Sequence, residues 1–104
     1  MKKNQFPINA NDFLDFALET FENATPYSSI LKLEEEIKEV KKELGIMDTQ
    51  SLKIEFADCI MCILDSAARC GFTPIEIAEA FNNKLNINKS RSWKKNSDNT
   101  YSHI

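Results

Sequence analysis

Acidic side chains recur along one face of the third predicted helix. Glu55, Asp58 and Asp65 follow one another at intervals of three and seven residues, so they share one narrow stripe. The residues from Ile54 to Ala68 are otherwise largely apolar in most directions around the axis, which predicts that this helix is buried nearly all round. A buried carboxylate must be protonated, paired with Lys or Arg, or bound to a cation. The residues themselves leave these three outcomes open.

A second acidic segment lies on the preceding predicted helix. Glu36 borders the apolar stripe of that helix and is the best inward candidate, with Glu39 three residues further on, whereas Glu35 points outward. The short connection through Gly45 and Asp48 favours antiparallel packing of the two helices, which could bring both acidic segments together. Such a site of oxygen ligands selects Mg²⁺, Mn²⁺ or Ca²⁺ over zinc.

Other interpretations of the charged residues and the cysteines do not involve a site for Mg²⁺. Glu34 and Lys38 have the spacing of a solvated helix pair, and for Glu34 surface pairing is the preferred interpretation. Cys59 and Cys62 would need two more ligands to hold zinc, so they are interpreted as small buried side chains. A di-iron bundle would need Glu-x-x-His pairs, which the sequence lacks.

The overall charge argues against some partners. Sixteen acidic and thirteen basic residues give a net charge of -3, which offers no attraction to nucleic acid or an anionic membrane. No apolar run approaches the ~20 residues of a membrane span, and the first residues lack the apolar stretch of a signal peptide. Three cysteines within a helical pattern favour a reducing compartment. We expect a cytoplasmic protein.

The elements that must position these residues are helices. Two glycines and three prolines leave little turn punctuation for a sheet, and apolar residues recur at steps of three and four. We predict one all-α domain over residues 1–104, a bundle of about four helices with an irregular leader (1–9) and tail (91–104). The predicted helices run from Asn11 or Asp12 to about Glu22, from Thr25 or Ser28 to Gly45, from Asp48 or Thr49 to about Arg69 with a stop at Gly71, and from Thr73 to about Asn88. Four helices cannot cover the third one, which predicts a homodimer or homotetramer.

The acidic motifs resemble those of a known enzyme group. Glu35-Glu36-x-x-Glu39 followed by Glu55-x-x-Asp58 is similar to the EExxE…ExxD signature of the MazG-like all-α nucleoside-triphosphate pyrophosphohydrolases. Lys84-x-x-x-Asn88-x-x-Arg91 is similar to the basic element of that superfamily. Thr20-Phe21, Asp65 and Arg91-x-Trp93 resemble the dATP/dGTP pyrophosphohydrolase branch, although the leader lacks the tryptophan expected there.

The resemblance implies hydrolysis of a (d)NTP to a (d)NMP and pyrophosphate by water. It implies Mg²⁺, with Mn²⁺ as a substitute, held by Glu36, Glu39, Glu55 and Asp58. It makes Glu35 and Glu36 the catalytic pair, with Glu35 as a base or an outer-shell group. It further assigns triphosphate binding to Lys84, Asn88 and Arg91, and adds Asp65 and Trp93 as further site residues.

Two other classes of function remain open at this point. One is a non-enzymatic helical module that binds nucleotide or protein and uses the acidic cluster for a structural ion. The other is a purely structural oligomer. Metal-dependent turnover separates the enzyme from both.

Overall fold

A computed structural model of the chain describes residues 5–104 and consists mainly of four helices. The helices are α1 (Ala10–Thr20), α2 (Pro26–Ile46), α3 (Thr49–Arg69) and α4 (Pro74–Lys89), followed by strands β1 (Trp93–Lys95) and β2 (Tyr101–His103). The predicted helical class is confirmed. The chain forms two compact units, one ending at Pro74 and the other comprising Ile75–Ile104. Residues 1–4 of the predicted leader lie outside the described residues, and residues 5–9 form no helix or strand.

Helices α2 and α3 form the central pair of the first unit. Only Met47 and Asp48 separate the two helices. Ser29 contacts Asp65, whereas Glu36 lies beside Asp58. A later residue of α2 therefore lies opposite an earlier residue of α3, so the two helices run antiparallel, as predicted. Helix α1 packs on α3.

The apolar core of the described residues is small. Its buried members are Leu14, Ala17 and Val40. Helix α3 was predicted to be buried nearly all round, but Ile54 and Phe56 are 61% and 48% exposed. Within residues 5–74, the helices that pack against α3 are α1 and α2, and much of its apolar surface stays uncovered.

The starts of α2 and α3 follow the sequence signals. Thr25 and Ser28 form a reciprocal capping box: the Ser28 N–H donates to Thr25 Oγ1 at 3.0 Å, and the Thr25 N–H donates to Ser28 Oγ at 2.8 Å. Asp48 accepts from the backbone N–H groups of Gln50 and Ser51 at the start of α3. These bonds satisfy backbone donors that have no partner within the helix.

Two predicted helix limits are wrong. Gly45 lies inside α2, and Met47 takes the left-handed conformation that ends the helix, with φ 59°. Helix α1 begins at Ala10, before the predicted caps Asn11 and Asp12. An acidic residue is favourable in the first turn as well as at the cap, so Asp12 did not mark the boundary itself.

The predicted irregular tail contains an antiparallel hairpin. Trp93 pairs with His103 and Lys95 with Tyr101. Its turn is closed by Asp98, whose Oδ1 accepts from the backbone N–H and the hydroxyl of Thr100. Strands of three residues are too short to show the alternation that predicts a strand, which explains why the pattern failed here.

Candidate metal centre and adjoining pocket

Three carboxylates meet between α2 and α3. Glu36 comes from α2, and Glu55 and Asp58 come from one turn of α3. One oxygen from each group lies within 4.8 Å of the others, and all three residues are half-buried. The antiparallel pairing of the helices places them opposite one another. Hard oxygen ligands arranged in this way can hold a divalent cation such as Mg²⁺ or Mn²⁺.

The electrostatics of the cluster favour a cation. Partial loss of solvent raises the pKa of Glu55, and so do a hydrogen bond with Glu36 and the charges of Glu36, Asp58 and Glu39. The pKa of Asp58 is raised by burial and by the charge of Glu36, while Lys32 acts in the opposite direction. Like charges therefore face each other, and a bound cation would relieve their repulsion.

Lys32 supplies a partial counter-charge from α2. Its Nζ lies 3.1 Å from Glu35 Oε2 and 3.4 Å from Glu36 Oε1. The hydrogen bond and charge of Glu35, followed by those of Glu36, raise the pKa of Lys32. Its side chain is 60% exposed, so solvent screens the pairing with Glu36.

Other predicted members of the acidic site have different surroundings. Glu35 is exposed and bonded to Lys32. Glu39 is exposed, and its charge contributes to the raised pKa of Glu55. Asp65 is buried, and its two oxygens accept hydrogen bonds from Ser29 and Arg69. Among residues 5–104, the group of mutually close candidate ligands comprises Glu36, Glu55 and Asp58.

The cysteines predicted to be small buried side chains lie near the same cluster. Cys59 and Cys62 are half-buried, and both are free thiols. Burial raises the pKa of each thiol, and the charges of Glu36 and Asp58 raise it further. Thiolates suited to zinc are therefore disfavoured at this position.

A pocket of about 490 Å³ adjoins the carboxylates. Glu36, Asp58 and Asp65 line it together with Lys32, Ser28, Ser29, Cys62, Met61, Ala24, Phe13, Phe16 and Phe21. The rings of Phe16 and Phe21 meet edge to face, with their centroids 5.6 Å apart. At the level of sequence, the helical spacing of Phe16 and Phe21 indicates an apolar stripe, and Thr20-Phe21 is part of the family resemblance. Helical spacing identifies such a stripe but cannot tell a pocket wall from a packed core.

The predicted phosphate-binding residues lie in the second unit. Lys84 is exposed on α4, and Asn88 is half-buried near the end of that helix. Arg91 Nη1 approaches Asn88 Oδ1 at 3.5 Å, and Trp93 Nε1 donates to the Asn88 carbonyl at 3.0 Å. Asn88, Arg91 and Trp93 are therefore neighbours at the end of α4.

Known proteins resemble this chain in sequence and in fold. Residues 9–104 match the family model of dATP/dGTP pyrophosphohydrolase. The chain belongs to this family. The resemblance predicted from the acidic motifs is thereby confirmed.

A relative and a solved structure extend the family assignment. A dATP/dGTP diphosphohydrolase of Salmonella phage PMBT28 is 40% identical over 87 residues, or 82% of this chain. The chain spans 27% of the length of that relative. The MazG-like pyrophosphohydrolase of cyanophage S-2L, whose structure holds dGDP and three catalytic Mn²⁺ ions per active site, aligns with a TM-score of 0.70. The alignment has 26% identity and covers 94% of this chain and 99% of that one.

The donor set of this dATP/dGTP pyrophosphohydrolase family member fits a hard divalent ion. All three mutually close groups offer carboxylate oxygens, and two of them have a raised pKa in the absence of a cation. No helix in residues 5–104 is both long and apolar enough to cross a membrane.

Proposed function

We propose that this chain is a metal-dependent pyrophosphohydrolase that cleaves a (d)NTP, with dATP or dGTP preferred, between the α and β phosphorus atoms. The products are a (d)NMP and pyrophosphate. The observation that carries the proposal is the convergence of Glu36, Glu55 and Asp58 beside a pocket with aromatic walls. The family model and the phage relatives support the choice of substrate.

The carboxylates hold the metal, Mg²⁺ or Mn²⁺, and orient the reacting groups. Glu36, Glu55 and Asp58 form the inner set, and Glu39 joins them from the exposed side of α2. A bound divalent ion supplies a water of lowered pKa and neutralises charge on the phosphate oxygens. Glu35, which is exposed near the cluster, accepts the proton of the attacking water or acts as an outer-shell group.

The remaining predicted residues bind the substrate. Phe13, Phe16 and Phe21 offer aromatic surface for the nucleobase next to the carboxylates. Lys84, Asn88 and Arg91 hold the triphosphate, and the two cations stabilise the pyrophosphate leaving group. Trp93 is a further candidate contact.

The working form of the enzyme is a homodimer or homotetramer in the cytoplasm. The proposal of an oligomer is supported by the large apolar side chains that are exposed on the chain, among them Ile54, Phe56 and Ile63 on α3. The three free cysteines fit a reducing compartment.

Pyrophosphate release from a panel of NTPs and dNTPs tests the proposal. We expect release that requires Mg²⁺ or Mn²⁺, is fastest with dATP or dGTP, and falls by about 100-fold in Glu55→Gln. Glu34→Gln is the matched control, because Glu34 is exposed on α2 outside the three-carboxylate group. No release from any nucleotide, or equal release from both variants, would contradict the proposal.

A further inference from the structure

A buried arginine of α3 binds the connection between α1 and α2. Arg69 Nε donates to Asp65 Oδ1 at 3.0 Å, while Nη1 donates to the Ala24 carbonyl at 3.0 Å and Nη2 to the Ala17 carbonyl at 3.2 Å. The Arg69 and Asp65 side chains are only 8% and 11% exposed. One guanidinium thus joins three acceptors on two segments of the chain, using the fixed fork of donors that arginine provides.

Two serines extend these contacts to the start of α2. Ser29 Oγ donates to the other oxygen of Asp65 at 2.6 Å. Ser66 Oγ donates to the Pro26 carbonyl at 2.8 Å. Every oxygen of the Asp65 carboxylate therefore has a partner, and this carboxylate is engaged in holding α2 and Arg69 to α3.

The segment held in this way forms one wall of the pocket. The Ala17 carbonyl that accepts from Arg69 also accepts from the Phe21 N–H at 2.8 Å, so the contact lies at the end of α1 where Phe21 begins the connection. Phe21, Ala24 and Ser29 all line the pocket that adjoins Glu36 and Asp58. Helix α1 has no basic residue in its last turn, so Arg69 brings a positive charge to the carboxyl end of α1 from another helix.

We infer that Arg69 and Asp65 are positioning residues that fix the pocket wall formed by residues 17–29 and thereby set the affinity for the nucleotide. The inference rests on the proposed function. The three bonds that Arg69 donates go to Asp65, Ala24 and Ala17 and not to α2. Glu36, Glu55 and Asp58 meet further along the α2–α3 pair than the Ser29–Asp65 bond, so their mutual approach does not depend on Arg69. The clamp, meaning Arg69 with Asp65, Ser29 and Ser66, therefore acts on substrate binding more than on the hydrolytic step.

Arg69→Lys tests the clamp with the charge retained. A lysine offers a single ammonium on a flexible stem and cannot bond Asp65 and two carbonyls in the arginine geometry. We expect the KM for dGTP to rise about tenfold while kcat stays within about threefold, the pattern of lost ground-state binding. Ser66→Ala, a milder change outside the pocket lining, should raise KM by a smaller factor. Ser51→Ala is the control, because Ser51 lies on α3 and bonds Asp48 at the far end of the helix.

Two further measurements separate positioning from a general loss of structure. Amide hydrogen exchange should speed up in residues 17–29 of Arg69→Lys and stay unchanged in α2 beyond Glu36. The Mn²⁺ affinity without nucleotide should stay within about twofold of the wild type, whereas loosened packing of α2 on α3 would weaken it. An unchanged KM with unchanged exchange in residues 17–29 would overturn the inference. A parallel loss of kcat and Mn²⁺ affinity would also overturn it.

Failure of the proposed function would look different. In that case the wild type itself would release no pyrophosphate. The exchange measurement would then decide whether Arg69 holds the connection, and the affinity of dGMP for wild type and Arg69→Lys would decide whether the wall binds nucleotide.

Discussion

The negative charge of Glu55 suits a metal ion but lowers the stability of the metal-free protein. Partial loss of solvent and the neighbouring carboxylates raise its pKa in the folded state, so the folded chain binds more protons than the unfolded chain. The free energy of unfolding of the metal-free protein therefore falls as the pH rises from the ordinary carboxyl pKa through the raised value. We expect Glu55→Gln to raise the Tm of the metal-free protein at about pH 8, although the same change slows metal-dependent hydrolysis.

The measurement is thermal unfolding in EDTA over a range of pH. The difference in Tm between Glu55→Gln and the wild type should shrink as the pH falls, because the wild-type carboxyl group then becomes protonated and uncharged. Glu34→Gln, an exposed change on α2, should leave the Tm nearly unaltered. A lower Tm for Glu55→Gln at about pH 8 would show that Glu55 contributes to stability as a charged group.

Lys32 competes with a metal ion for Glu36. Its ammonium lies 3.4 Å from Glu36 Oε1, and a divalent ion at the cluster would repel it. An exposed ion pair of this kind contributes about 0.2–1 kcal/mol, so Lys32→Met should tighten Mn²⁺ binding by about 1.4- to 5-fold. Calorimetric titration of Mn²⁺ measures the change. Lys38→Met removes the same charge from an exposed position on α2, and an equal effect there would refute a specific role for Lys32.

Spacing along one helix predicts which acidic residues share a face but not what lies opposite that face. Glu55 and Asp58 lie one turn apart, so their common face follows from the sequence alone. The same rule added Asp65, but Ser29, 36 residues away, and Arg69 bond its two oxygens. Helical periodicity states which residues share a face. What the neighbouring helix places opposite that face depends on the register of packing, which the sequence pattern does not contain.

Among the structural elements, the two glycines have opposite roles that substitution can separate. Gly45 lies within α2 with open space where a Cβ would be, whereas Gly71 ends α3 with φ +95°. Gly45→Ala should raise the free energy of unfolding by about 0.5 kcal/mol, because alanine loses less backbone entropy in a helix. Gly71→Ala should lower it by about 1 kcal/mol, because a Cβ strains the left-handed conformation. Urea unfolding measures both, and a loss in Gly45→Ala would contradict its placement inside α2.

The sequence predicted the ends of helices that are capped by a side chain better than the end of α2, where the backbone conformation of Met47 ends the helix. Thr25 and Asp48 were predicted as starting residues because their oxygens can accept backbone N–H groups, and both do so. The end of α3 at Gly71 also followed from residue type, and the N–H groups of Gly71 and Phe72 close it onto Ala68 and Ala67. The end of α2 did not, because Met47 adopts a conformation that its type disfavours while Gly45 remains helical.

On the scale of the whole molecule, the sequence predicted that apolar side chains of α3 would be left exposed, but it did not predict which other residues pack beside them. The pattern around α3 predicted more apolar residues than four helices could bury, and Ile54, Phe56 and Ile63 are indeed exposed. A groove of about 640 Å³ between α1 and α3 continues this surface, with Phe6, Phe16 and Phe56 among its lining residues. The sequence predicted that such a surface exists. It could not predict its shape, which depends on the angle at which α1 crosses α3.

We expect copies of the chain to associate through this apolar surface. A stable interface buries roughly 800 Å² on each partner, with an apolar centre. The groove and the exposed aromatic side chains beside it are apolar surface of this kind. We expect sedimentation velocity to show a dimer or larger species instead of the 11.9 kDa chain, and Phe56→Glu to shift the population toward 11.9 kDa by placing a charge in the groove. Tyr27→Glu is the matched control, because Tyr27 is 70% exposed and does not line the groove. A wild-type chain that sediments only at 11.9 kDa would mean that these side chains remain exposed to water, and the oligomer would have to be abandoned.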